Sequence, residues 1–188
     1  MSTPTIAVYG SARITPDDPR YVAGIALGAA LATAGFRVVT GGYEGLMSAV
    51  SHGAREAGGE VLGYTVTAWD GLPANRWVTT AIDNSDLFDR LRRFSQVDLG
   101  IALDGGIGTL VEIAAAWNLL QVTTTARPLL LVGDAWVAFL AYAREHLVVG
   151  PADLRLVSTL PSGTAPAEIV AVVRSLLNAA PTSARIGG

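Results

Sequence analysis

Short apolar runs alternate with longer stretches in which Ala and Leu recur at helical spacing, and the alternation continues from one end of the chain to the other. Thr5–Val8, Arg37–Thr40, Glu60–Val66, Asp98–Leu103, Pro128–Val132 and Leu154–Leu160 read as strands. Arg20–Ala34, Gly45–Ala57, Asp86–Gln96, Thr109–Gln121, Asp134–His146 and Pro166–Asn178 read as helices. Gly35 and Gly58-Gly59 supply stops after the first two helices. Thr67–Ile82, with Asp70-Gly71, Pro73, Trp69 and Trp77, fits neither period and reads as irregular, and Ala179–Gly188 reads as a frayed tail. The strands are uniformly apolar instead of alternating, as in a parallel sheet covered by helices on both faces. The expected fold is therefore a single α/β domain of three layers, doubly wound and Rossmann-like, with a mostly parallel sheet.

Composition is consistent with that architecture and removes several chemistries. The 188 residues are 51 % hydrophobic and only 15 % charged, so a substantial core can form. All thirteen basic side chains are Arg, and with 16 acidic residues the formal charge is -3, which gives no general attraction for nucleic acid or an anionic membrane. Without Lys there is no Schiff base, pyridoxal phosphate anchor or P-loop lysine. Without Cys there is no thiol nucleophile, disulfide or thiolate metal site. His52 and His146 lack the neighbouring ligands of a zinc centre, so neither a metal nor a cofactor is expected. The uncharged stretch Tyr21–Phe36 is too short and Gly/Ala-rich to span a bilayer, and the first residues enter a strand without a targeting pattern, so the expected location is the cytoplasm.

Three of the first four strands end in glycine elements: Gly10-Ser11, Gly41-Gly42-Tyr43-Glu44-Gly45-Leu46-Met47, and Gly105-Gly106-Ile107-Gly108-Thr109. Ligands of open parallel sheets bind beyond the carboxyl ends of the strands, where strand order reverses. In the common 3-2-1-4-5 order the first and fourth strands meet there, so Ser11 would face the Gly105–Thr109 loop. Glycine allows close backbone approach and a following helix offers free N–H groups, which points to a phosphate or similar anion between Gly106 and Leu110. Each loop alone is equally a tight strand-to-helix turn; two loops converging on one crevice favour binding. The first turn lacks GxGxxG, which argues against NAD.

Glu112 lies one turn into the helix after that loop. With Thr109 it forms Thr-x-x-Glu, either a capping box or an acid placed to act on a sugar beside the phosphate. Arg90, Arg92 and Arg93 share the preceding helix, where Leu87, Leu91 and Phe94 centre the expected apolar stripe. Arg92 points to solvent. Arg90 borders the stripe and either bends into the crevice or pairs with Asp86 at the surface. His52 and His146 read as structural. Trp69 and Trp77 are either lid packing or a stacking surface for a base.

The paired motifs Gly41-Gly42-x-x-Gly45-Leu46-Met47 and Gly105-Gly106-x-Gly108-Thr109-x-x-Glu112 resemble those of the Lonely guy (LOG) family, cytokinin riboside 5′-monophosphate phosphoribohydrolases and bacterial relatives also labelled lysine decarboxylase-like. The resemblance runs from about Thr5 to Val132. It implies a Rossmann-like homodimer that binds a nucleoside 5′-monophosphate such as AMP and hydrolyses its N-glycosidic bond to free base and ribose 5-phosphate. In that reading Glu112 and Arg90 are catalytic. Gly105, Gly106, Gly108 and Thr109 hold the phosphate, while Gly10, Ser11, Gly41, Gly42, Gly45 and Met47 form the opposite wall. Glu44 and Asp104 are further candidates. Asp104 stands where the family carries Pro, and of the family's Arg-Lys pair only Arg90 is a cation here, the other position being Asp89. The alternative is a nucleotide or phospholigand binder on the same fold that performs no chemistry.

Overall fold

The computed structural model describes residues 3–69, 71–123 and 127–179. The elements in chain order are β1 (Thr5–Tyr9), α1 (Pro19–Thr33), β2 (Arg37–Thr40), α2 (Leu46–Glu56), β3 (Val61–Val66), β4 (Thr80–Asn84) and α3 (Leu87–Phe94). They continue with β5 (Leu99–Ala102), α4 (Ile107–Val122), β6 (Leu129–Val132), α5 (Asp134–His146), α6 (Pro151–Leu154), β7 (Val157–Leu160) and α7 (Pro166–Asn178). The strands form one seven-stranded sheet in the order β4-β3-β2-β1-β5-β6-β7. Every pairing is parallel.

Because side chains alternate across a strand, each buried strand feeds two cores. Ile6 and Val8 of β1 face Leu27 and Leu31 of α1, Val50 and Ala54 of α2, and Ile169 and Val173 of α7. Ala7 and Tyr9 face the other way, toward Phe94 of α3, Ile113 and Trp117 of α4, and Trp136 of α5. Both faces are covered, which is why β1, β5 and β6 are apolar at nearly every position. The result is a single three-layer domain.

The expected architecture and the order around β1 hold, with three local corrections. β4 begins inside the stretch expected to be irregular, Thr67–Ile82, and runs two residues past it. It is an edge strand whose Thr80, Ala81 and Asp83 are exposed, so it lacks the apolar run that marks its neighbours. Register with β3 comes from backbone pairing of Leu62 with Thr80 through Val66 with Asn84, with Asn84 Nδ2 donating to the Thr65 carbonyl at 2.8 Å. Leu154–Leu160 divides into the end of α6 and the shorter β7. α4 begins at Ile107, two residues ahead of the expected start. Ala179 caps α7, whereas the rest of the expected tail, from 180 on, and Asp70 lie outside the described residues. No helix among the described residues is long and apolar enough to cross a membrane.

Candidate functional site

Strand order reverses at β1, whose neighbours β2 and β5 lead into helices on opposite faces of the sheet. The turns after these three strands meet at the carboxyl edge. Ser11 N–H donates to the Asp104 carbonyl at 3.0 Å, which joins the β1 turn to the β5 loop. Leu46 N–H donates to the Ser11 carbonyl at 2.9 Å, which ties the same turn to the start of α2. Gly45 caps α2 at φ 71°, a conformation that favours glycine, and a side chain there would also run into the Ser11 carbonyl. Gly10 packs against Leu46, and the Ser11 hydroxyl accepts from Arg13 N–H at 3.1 Å.

The β5 loop gives α4 an open end. Gly106, not Thr109, is the N-cap, so Thr109 and Glu112 do not form the capping box that their spacing allows. No side chain caps the helix, and the first backbone bond after the cap runs from Leu110 N–H to the Gly106 carbonyl at 2.9 Å. The N–H groups of Ile107, Gly108 and Thr109 therefore have no carbonyl partner within the helix. Gly105 to Gly108 are exposed, and the space where side chains at Gly106 and Gly108 would sit is empty. Thr109 is buried with its side chain folded back on Gly105. An uncapped helix end with exposed glycines suits an anion.

Behind this mouth lies a buried ion pair. Arg90 and Glu112 are 5 % and 9 % exposed, and Arg90 Nη1 donates to Glu112 Oε1 at 3.1 Å. Arg90 Nε donates to the Tyr64 carbonyl at 2.7 Å. Its guanidinium rests against Gly41, where any side chain would meet Arg90 Nη2 and the Met47 sulfur. The surface pairing of Arg90 with Asp86 is thus not formed. Asp86 instead caps α3 by accepting from Asp89 N–H at 2.8 Å, and the buried side of α3 is Arg90 with Phe94. Burial pushes the Glu112 carboxyl up from 4.5 to about 7; the charge and hydrogen bond of Arg90 act in the opposite direction and only partly offset it. Burial, and next the Glu112 charge, also push the Tyr9 phenol well above its usual range.

Trp69, on the β3–β4 connection, lies against Arg90, with its ring centroid 5.4 Å from Arg90 Cζ and 5.7 Å from the Tyr43 ring. Trp77 stacks on His52 instead, at 3.9 Å and nearly parallel. The connection is anchored by Asn75, a buried residue that the sequence pattern did not single out. Its Nδ2 donates to the carbonyls of Gly42 at 3.1 Å and Tyr43 at 2.8 Å, and its N–H donates to Gly42 at 2.7 Å. The Tyr43 hydroxyl accepts from Val66 N–H at 2.9 Å. An Asn within an aperiodic Gly/Pro segment gives no pattern from which such a tie could be read.

The structure thus brings Gly41, Met47, Arg90 and Glu112 into contact, and Ser11 beside the β5 loop. Glu44 is exposed on the α2 side, and the Asp104 carboxylate lies toward Gly133. Among the described residues no group of three or more His, Cys, Asp or Glu side chains is arranged to hold a metal ion. A cavity of about 460 Å³ opens at the opposite, amino-terminal edge of the sheet between Pro4, Asp98, Arg127 and Arg174, away from the glycine loops.

The fold recurs in solved structures. The molybdenum cofactor binding protein from the phototrophic bacterium Rippkaea orientalis is similar at TM-score 0.75 and 24 % identity, over 95 % of this chain and 99 % of that one. The molybdenum cofactor carrier protein from Chlamydomonas reinhardtii is similar at TM-score 0.72 and 24 % identity, over 95 % and 100 % of the two chains. The structure of TM1055 is similar at TM-score 0.66 and 23 % identity, over 92 % and 99 %. No curated protein matches the sequence significantly. The SLOG cluster4 family model matches residues 3–127, from the strand before the first glycine turn to beyond the end of α4. The chain belongs to the SLOG cluster4 family.

Proposed function

We propose that the protein binds nucleoside 5′-monophosphates of the AMP type in the crevice between β1 and β5 and hydrolyses their N-glycosidic bond. The observation that carries this reading is the buried Arg90–Glu112 pair set directly behind an uncapped, glycine-lined helix end. In this arrangement the N–H groups of Ile107, Gly108 and Thr109 hold the phosphate, and Glu112 lies against the ribose. The C1′–N bond breaks as positive charge develops on the sugar, which the Glu112 carboxylate stabilises. Water adds to C1′ and gives its proton to Glu112, while the departing base takes up a proton from solvent. A carboxyl whose value lies near 7 is suited to this exchange at neutral pH. Arg90 is a positioning residue that opposes the effect of burial and keeps part of Glu112 ionised. The same reading takes the protein as a homodimer, with α4 exposing Ile107 and Val122 beside its buried face.

Incubation with AMP, followed by chromatography for adenine and ribose 5-phosphate, tests the proposal. Wild type releases both in equal amounts and Glu112→Ala releases neither. A second reading, binding without cleavage, is favoured by the small exposure of Glu112 and by the fold shared with proteins described as molybdenum cofactor carriers. It takes over if AMP raises the melting temperature while no base appears.

A further inference from the structure

We propose that Trp69 is the platform on which the ligand's planar ring stacks, so that the crevice selects heteroaromatic monophosphates over the bare sugar phosphate. The proposal rests on the crevice reading above and adds to it the part of the ligand beyond the sugar. The groups along the crevice occur in a definite order: the exposed α4 N–H groups, then Glu112, then Arg90 bonded to it at 3.1 Å, then Trp69 at 5.4 Å from Arg90 Cζ. A nucleotide has the same order of phosphate, sugar and planar base.

Exposure distinguishes Trp69 from the other aromatic residues around this pair. Tyr9, Tyr43, Tyr64 and Phe94 are buried, whereas Trp69 keeps 36 % of its surface exposed. A Trp that served only to roof the ion pair would gain from burying that area as well. Its position is nevertheless fixed before any ligand arrives. Its N–H donates to the Val66 carbonyl at 3.1 Å, and its ring lies against Tyr43, which is itself held by Val66 and Asn75. An amphipathic ring held in place with part of its surface open costs little ordering when a second ring covers it.

Base–aromatic stacking corresponds to about 5- to 150-fold in affinity. The test is titration calorimetry with AMP and with ribose 5-phosphate in the Glu112→Gln background, which keeps AMP intact, with Trp69 retained or changed to Ala or Phe. The expected result is that Trp69→Ala weakens AMP about 30-fold and leaves ribose 5-phosphate within about twofold, while Trp69→Phe restores most of the loss. Equal losses for both ligands, or an unchanged affinity for AMP, overturn the stacking role and leave Trp69 as lid packing. Equal affinity for the two ligands with Trp69 retained also overturns it, while the phosphate site stands. Failure of AMP to bind with Trp69 retained overturns the crevice reading, and the stacking proposal with it.

Discussion

Replacing Glu112 with Gln removes one titration from the core and leaves its shape intact. The folded-state value of about 7 lies above the ordinary 4.5, so the folded protein holds this proton over a pH range in which the unfolded chain has released it. The resulting stabilisation is fully present below pH 4.5 and is lost as pH rises through about 7. Each pH unit in that interval corresponds to about 1.4 kcal/mol, so Glu112 contributes a decline of about 3 kcal/mol between pH 4.5 and 8. The other carboxylates titrate alike in both proteins and cancel in the comparison. Urea unfolding of wild type and Glu112→Gln across this range should therefore give a stability difference that shifts by about 3 kcal/mol in favour of the Gln protein as pH rises. For a domain of this size the same shift is about 6–12 °C in melting temperature. Curves that stay parallel from pH 4.5 to 8 would refute the raised carboxyl and the reasoning built on it.

The same titration should appear in catalysis: kcat/KM for AMP falls as pH drops below about 7, and a flat profile would remove Glu112 as the proton acceptor. In Gly41→Ala the new methyl meets the side-chain ends of Arg90 and Met47 and no backbone, so the chain path survives while the guanidinium is pushed off Glu112. Turnover of AMP should then fall at least about 10-fold, and breaking the buried pair should also cost about 3 kcal/mol of stability, as read by steady-state kinetics and calorimetry. Gly106→Ala enters empty space at the helix cap and should cost less than about 1 kcal/mol of stability. Its KM for AMP should rise if the phosphate sits there, and an unchanged KM would move the phosphate elsewhere. Asn75→Ala leaves the Gly42 and Tyr43 carbonyls without their side-chain donor and should cost about 2 kcal/mol by urea denaturation, with faster hydrogen exchange in 71–79.

The parallel sheet was legible because strands buried on both faces, such as Leu129–Val132, carry no polar positions. β4 was not legible for the converse reason: an edge strand with Thr80, Ala81 and Asp83 in solvent gives no apolar signal. Glycine motifs marked the turns that converge after β1, β2 and β5, yet they did not show which residue begins α4, since Thr109 and Gly106 are both acceptable caps. The helical wheel of α3 placed Arg90 at the border of the apolar stripe. Its burial follows from Glu112, 22 residues later on another helix, and from the Tyr64 carbonyl. Local periodicity ranks an Arg as outward because the partner that allows its burial lies elsewhere in the chain. The same holds for Asn75, whose acceptors are more than 30 residues earlier.

The most direct measurement is a crystal structure of Glu112→Gln soaked with AMP. The phosphate is expected within hydrogen-bond distance of the N–H groups of Ile107, Gly108 and Thr109, with the ribose against residue 112 at the carboxyl edge of β1 and β5. AMP bound in the cavity between Asp98, Arg127 and Arg174 at the opposite edge, with the glycine crevice empty, would contradict the crevice reading.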